Sequence, residues 1–116
     1  MVSAGVERGM SAPPEVVFNT ATDPDRVAAW LPAQLRDNGG PGPELATADL
    51  RARWRSAGEP DWSARLQVSS TGAGGATVRL ELEAESDPSS ARELRAIADQ
   101  SLASLAREVD DNLTAG

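Results

Sequence analysis

Four residue types that carry much of enzyme chemistry are missing from this chain of 116 residues. It contains no cysteine, histidine, lysine or tyrosine, and all 11 of its basic residues are arginine. Without cysteine there is no disulfide framework, no thiolate nucleophile and no thiolate metal site. A serine nucleophile would lack the histidine or lysine that usually activates it. We therefore predict no catalytic residues and no cofactor.

Positive charge is also scarce. The 11 arginines are outnumbered by 18 acidic residues, which gives a net charge of −7. Nucleic acids and anionic membranes both reward clustered positive charge, so we expect neither as a partner. A metal site would have to consist of carboxylates alone. The pairs Asp110-Asp111 and Asp23/Asp25 lie at predicted helix ends open to solvent, so no metal is expected either.

Long hydrophobic runs are absent. No segment approaches the ~20 apolar residues that a membrane-spanning helix needs. The first ten residues show no basic leader followed by an apolar run, so we expect a cytoplasmic protein.

The length fits one domain, residues 1–116, around a single core. The alanine-rich, lysine-free composition suggests a bacterial genome of high GC content.

Alternation of apolar and polar residues predicts the strands. Val2, Ala4 and Val6 alternate with polar or small residues at the start of the chain. The same period of two recurs in three later segments, each with one apolar and one polar face, which is typical of an antiparallel sheet. We predict strands at about residues 2–8, 45–55, 62–68 and 78–84. The residues predicted to face inward in the later three are Ala46, Ala48, Leu50, Ala52, Trp54, Trp62, Ala64, Leu66, Val68, Val78, Leu80, Leu82 and Ala84.

Two short helices are predicted between the first two strands. Prolines stand in the first turn of a helix over about residues 13–22, where a missing N–H costs nothing. Asp23 and Pro24 then supply the N-cap and first residue of a helix over about 24–35. A Gly/Pro-rich loop follows at residues 37–43. A long C-terminal helix is predicted over 88–113, because its apolar residues recur at steps of three and four. This stripe comprises Leu94, Ile97, Ala98, Leu102, Leu105, Val109 and Leu113.

The stretch from Ala12 to Pro32, APPEVVFNTATDPDRVAAWLP, resembles the N-terminal signature of the START/Bet v 1-like superfamily, also called SRPBCC or polyketide cyclase/dehydrase-like proteins. The resemblance implies an α+β, helix-grip-like fold, in which an antiparallel sheet grips a long C-terminal helix over an apolar cavity. The family usually has six strands between the short helices and the last helix, whereas about three fit here. We therefore expect a shortened sheet of about four strands, with a cavity that is small, open or completed by a second copy in a homodimer.

A ligand-binding site is predicted on the inward face, beneath the long helix. Aromatic walls offer large contact areas at little entropic cost, so we assign Trp54 and Trp62 to it. The alternative is that the tryptophans only fill core space, which is what we expect of Trp30. The site is completed by Leu66, Leu80, Ile97 and Leu102.

Arg8 is added to the site because it shares the inward phase of the first strand. A buried guanidinium would need a carboxylate partner or an anionic ligand group. The alternative is that Arg8 is exposed to solvent. On the opposite face of the sheet, the arginines and glutamates at 51, 53, 65, 79, 81 and 83 form either a docking surface or a solvated charge ladder.

Three functions remain open from the sequence. The first is binding of a hydrophobic or amphipathic small molecule between sheet and helix. The second is a protein-interaction module of an antitoxin-like or co-chaperone-like kind, which would have a packed core and an exposed apolar patch. The third is a polyketide cyclase/aromatase-type enzyme, which would need a cavity with a buried ionisable group.

Overall fold

The structure is a computed structural model that describes residues 2–32, 35, 43–56, 62–84 and 91–115. Five strands and three α-helices lie within these residues. The elements are β1 (Val2–Met10), α1 (Pro14–Thr22), α2 (Val27–Trp30), β2 (Glu44–Ala46), β3 (Arg51–Arg55), β4 (Trp62–Ser70), β5 (Ala76–Ala84) and α3 (Ala91–Ala115).

The five strands form one antiparallel sheet in the order β1-β5-β4-β3-β2. The first strand of the chain therefore pairs with the last, and the short helices bridge the two edges of the sheet. Helix α3 packs chiefly on β1 and β5, and α1 contacts β4 and β5 on the same side. The α+β fold with a long C-terminal helix on an antiparallel sheet is confirmed. We call the face under the helices the inner face and the opposite one the outer face.

The region from 45 to 55 differs from the prediction, which treated it as one strand. It forms two strands, β2 and β3, joined by a 3₁₀ turn at Thr47–Asp49. Leu50 follows the turn with φ of 53°, a left-handed conformation that a continuous strand cannot contain. Ala46 and Ala48 were wrongly placed on the inner face, since both are exposed. The sheet accordingly has five strands rather than about four.

The second short helix is also shorter than predicted. Arg26 N–H donates to the carbonyl of Asp23 in a turn over residues 24–26, and α2 occupies only Val27–Trp30. Leu31 is extended, with φ of −67° and ψ of 138°. The helix ends here because the residue before a proline, in this case Pro32, is disfavoured in the helical region. Of the predicted span 24–35, residues 33 and 34 lie outside the described residues.

Helix α3 presents its apolar stripe to the sheet as predicted. Leu94, Ala98, Leu102, Leu105 and Val109 are at most 2% exposed, which makes them part of the core. The predicted start of this helix at 88, the loop at 37–42 and the turn at 58–60 lie outside the described residues. No helix among the described residues is long and apolar enough to cross a membrane.

The β4–β5 hairpin is closed at residues 71–75. Gly72 and Gly74 both have φ of 84°, a conformation that glycine adopts without strain. Thr71 N–H donates to the carbonyl of Gly75 across the turn. This segment is thus a hairpin connection, and its glycines serve the backbone.

Candidate functional site

The inner face is built from cross-strand rows that place large side chains beside small ones. Trp54 lies opposite Ala64 on β4, and Trp62 lies opposite Ala84 on β5. An alanine beside an indole leaves room for the ring to lie over the sheet. Leu66 faces Leu80 in the neighbouring row. The register therefore brings the strand residues of the predicted site onto one continuous apolar surface.

The structure gathers most of the predicted site residues in one buried cluster. Leu66, Leu80 and Leu102 are 0–1% exposed, and Trp54 and Trp62 are 5% and 4% exposed. Ile97 is half-buried and packs against the same cluster. In this conformation five of the six side chains are buried from solvent.

Arg8 is placed apart from the other predicted site residues. It lies opposite Val78 on the edge strand β1, in phase with the buried Val6 and Met10, yet its side chain is exposed. It forms no ion pair or hydrogen bond within the part of the chain that the structure describes. The structure thus gives Arg8 the exposed position that was the alternative from the sequence.

Trp30 closes the inner face above β3. Its ring meets that of Trp54 edge to face, with ring centroids 5.3 Å apart and an interplanar angle of 83°. Its indole Nε1–H donates to the carbonyl of Ala21 at 3.1 Å, which satisfies the one polar group of the ring. Trp30 was predicted to lie in the core, but its direct contact with Trp54 was not predicted. The strand pattern contained no signal for this contact, which joins two distant elements.

Two polar contacts hold the C-terminal half of α3 against the short helices. Arg26 Nη1 donates to Glu108 Oε1 at 3.2 Å, with both side chains about a quarter exposed. Asn112 Nδ2 donates to Thr20 Oγ1 at 3.0 Å, and Thr20 is almost fully buried. Neither contact was predicted from the sequence. They fix α3 over α1 and α2, and so over the edge of the apolar surface.

The chemistry of the inner face is that of an apolar surface. The buried polar residues within the described ranges are Thr20 and Ser101, and neither ionises. In the same ranges no group of three or more His, Cys, Asp or Glu residues could hold a metal ion. Such a surface can bind hydrophobic groups and exclude water. Among the described residues, no ionisable side chain is buried in it.

The outer face carries the charges. Arg65 pairs with Glu81 and Glu83, and Arg79 pairs with Glu7 and Glu81, at N–O distances of 2.8–3.5 Å. Hydrogen bonds to Glu81 and Glu7 raise the pKa of Arg79 above its ordinary value, so this guanidinium stays charged at any working pH. These pairs resemble the charge ladder that was one of the two interpretations of this face.

Solved structures share this fold at low sequence identity. Protein CV1439 from Chromobacterium violaceum is 22% identical, with a TM-score of 0.70 over 94% of this chain and 98% of that one. DynU16, from the dynemicin biosynthetic locus, is 19% identical, with a TM-score of 0.72 over 97% of this chain and 48% of its own. The di-domain ARO/CYC protein BexL, from the BE-7585A biosynthetic pathway, is 19% identical, with a TM-score of 0.66 over 98% of this chain and 47% of its own.

These likenesses concern the fold. The neighbours include the di-domain ARO/CYC proteins BexL and StfQ, so the expected fold, an antiparallel sheet with a long C-terminal helix packed on it, is one that solved structures share. This chain spans about half the length of DynU16 and BexL. No protein-family model and no curated protein matches the sequence.

Proposed function

We propose that this chain binds a hydrophobic or amphipathic small molecule between the inner face of the sheet and α3. The observation that carries the proposal is the continuous apolar surface on β3, β4 and β5, with Trp54 and Trp62 in neighbouring cross-strand rows of the inner face. The polyketide cyclase-like fold supports it, because several neighbours come from biosynthetic pathways.

Binding must open a closed surface. The predicted contact residues are nearly fully buried, so a ligand has to displace packed side chains. Helix α3 packs chiefly on β1 and β5, which leaves the β3–β4 part of the inner face covered mainly by other elements, Trp30 among them. We therefore place the ligand at the side of the space between sheet and α3 that Trp54, Trp62 and Leu66 border, where the Trp30–Trp54 contact has to move. Apolar burial, at ~25 cal/mol per Å², drives binding and makes it insensitive to salt.

The interaction-module alternative has one observation in its favour, which is the burial of the residues predicted to line the pocket. That alternative also requires an exposed apolar patch. Within the described residues Leu45, at 49% exposure, is the exposed large hydrophobic side chain, and a single residue does not form a patch.

A homodimer and a cytoplasmic location stay part of our proposal. Sedimentation of a monomer at high micromolar concentration would contradict the homodimer.

The cyclase/aromatase alternative requires a catalytic group in contact with substrate. The described part of the inner face buries no ionisable side chain, so the structure offers it no acid or base. We therefore favour binding over catalysis for this chain.

Tryptophan fluorescence tests the binding proposal. Titration with 1-naphthol, a neutral aromatic probe, is expected to quench emission saturably, because two of the three tryptophans line the site. Trp62→Phe should weaken binding by more than the ~0.5 kcal/mol of a peripheral contact. Leu45→Ser, on the exposed edge strand β2, is the matched control and should bind as the unaltered chain does. Binding that is unchanged by Trp62→Phe, or absent, would exclude this site.

A further inference from the structure

A second surface, on the outer face, has a charge pattern that the apolar site does not use. A groove with a volume of about 440 Å³ runs across β2 to β5. We call it the arginine groove, after the four arginines that line it: Arg51, Arg53, Arg65 and Arg79, together with Glu44 and Glu81. Its size lies within the range of small-molecule pockets.

Two of the four arginines are already neutralised by carboxylates. Arg65 is held between Glu81 and Glu83, at 3.5 and 3.3 Å. Arg79 is held between Glu7 and Glu81, at 2.8 and 3.2 Å. The positive charges of these two guanidinium groups are therefore balanced by carboxylates of the same chain.

The side chains of the other two arginines have no carboxylate partner among the described residues. Arg51 Nε donates to the neutral amide oxygen of Gln67. The Arg53 side chain makes no hydrogen bond or ion pair within the described residues, although Glu44 lies opposite it on β2. Both are exposed, and both lie on the outer face two residues apart, which separates their Cα atoms by about 7 Å.

The register makes this arrangement costly. Arg53 lies directly opposite Arg65 in the β3–β4 pair, and like charges in that position destabilise a sheet. On their other sides Arg53 lies opposite Glu44 and Arg65 lies opposite Glu81, so the charges in this row do not alternate strictly. Local violations of this kind are expected at functional sites.

We propose that the arginine groove binds a small multivalent oxyanion, such as a phosphate ester or a polycarboxylate, through Arg51 and Arg53. Guanidinium groups donate two parallel N–H bonds to phosphate or carboxylate oxygens, and the spacing of this pair suits an anion with two charged groups. The chain as a whole has a charge of −7 and repels acidic macromolecules. For a small anion inside the groove, the charges beyond the Debye length of ~8 Å are largely screened, so the nearby guanidinium groups matter more than the net charge of the chain. The site is independent of the apolar one.

An NMR titration of the whole chain at low salt tests the proposal. Pyrophosphate and citrate serve as separate probes, and the backbone amides of β3 and the Nε–H groups of the arginines are followed. Saturable shifts at Arg51 and Arg53 are expected with at least one probe. A preference for pyrophosphate assigns the groove to phosphates, a preference for citrate assigns it to carboxylates, and equal binding supports their shared chemistry.

Two variants are expected to change the affinity for the anion in opposite directions. The double change Arg51→Gln/Arg53→Gln should weaken binding about tenfold or more, since it removes charge-assisted hydrogen bonds. Glu44→Gln should strengthen binding several-fold, because it removes a carboxylate that lines the groove. Arg95→Gln, an exposed arginine on α3, is the matched control and should change nothing. Shifts that do not saturate, or that respond equally to the control and the double variant, would overturn the proposal.

Discussion

The two faces of the sheet are made from the same strands but are stabilised in different ways. On the inner face each tryptophan lies beside an alanine, and the side chains are nearly free of solvent. On the outer face Arg65 and Arg79 form ion pairs with glutamates that solvent screens, while Arg51 and Arg53 form none within the described residues. A ligand on the inner face must compete with the packing that holds the fold together. A ligand on the outer face does not, so a change there can alter binding while leaving folding intact.

The largest effect is expected in the core of α3. Leu105 is fully buried, so Leu105→Ala should lower the free energy of unfolding by ~2–5 kcal/mol, through lost contacts and a residual cavity. Arg107→Ala, an exposed position on the same helix, should cost less than ~0.5 kcal/mol. Urea unfolding of both variants measures the difference. A loss below ~1 kcal/mol for Leu105→Ala would mean that the sheet does not grip α3.

The next effect concerns the ring that closes the inner face. Trp30→Phe keeps an aromatic ring but leaves the buried carbonyl of Ala21 without its donor. We expect a loss of ~1–3 kcal/mol in unfolding free energy. Trp62→Phe, for which no indole hydrogen bond is seen among the described residues, is the comparison and should cost less. An equal loss in the two variants would show that the hydrogen bond contributes nothing beyond packing.

A smaller effect is expected where α2 meets α3. The Arg26–Glu108 pair is partly shielded from solvent, and its coupling energy should be ~0.2–1 kcal/mol. A double-mutant cycle with Arg26→Gln and Glu108→Gln isolates this energy, and the coupling should decrease as salt is added. Additive effects of the two changes would indicate that the pair does not fix α3.

The smallest effect is expected on the outer face. Arg65→Gln removes two exposed ion pairs but also relieves the repulsion with Arg53 across the strands. The two consequences oppose each other, so the unfolding free energy should change by less than ~0.5 kcal/mol. Thermal and urea unfolding check this. A loss of the size expected for Leu105→Ala would erase the distinction between the two faces.

The sequence predicted features that depend on local periodicity and missed those that depend on distant contacts. The alternation in β4 and β5 and the stripe from Leu94 to Val109 were sufficient to place these elements and their buried faces. The alternation also ran through the turn before β3, where Ala46, Ala48 and Leu50 fit a strand by coincidence. The left-handed conformation of Leu50 could not be predicted from the sequence. It is usually indicated by a glycine, and leucine rarely adopts it.

The candidate site was predicted in outline for the same reason. Period-two patterning identified Trp54, Trp62, Leu66 and Leu80 as inward-facing, and the structure buries all four. It could not show that Trp30 packs on Trp54, since that contact depends on where α2 ends before Pro32. Nor could it show that Arg53 lies opposite Arg65, which follows from the exact register of β3 and β4.

The most direct test of the central claim is to map where a neutral hydrophobic ligand binds. Amide NMR shifts upon addition of 1-naphthol report both faces of the sheet in one experiment. Our account predicts shifts at the inward residues of β3 and β4 and at the indole N–H of Trp30, Trp54 and Trp62, with the outward arginines unmoved. Shifts confined to the outer face, or no saturable shifts at all, would contradict it.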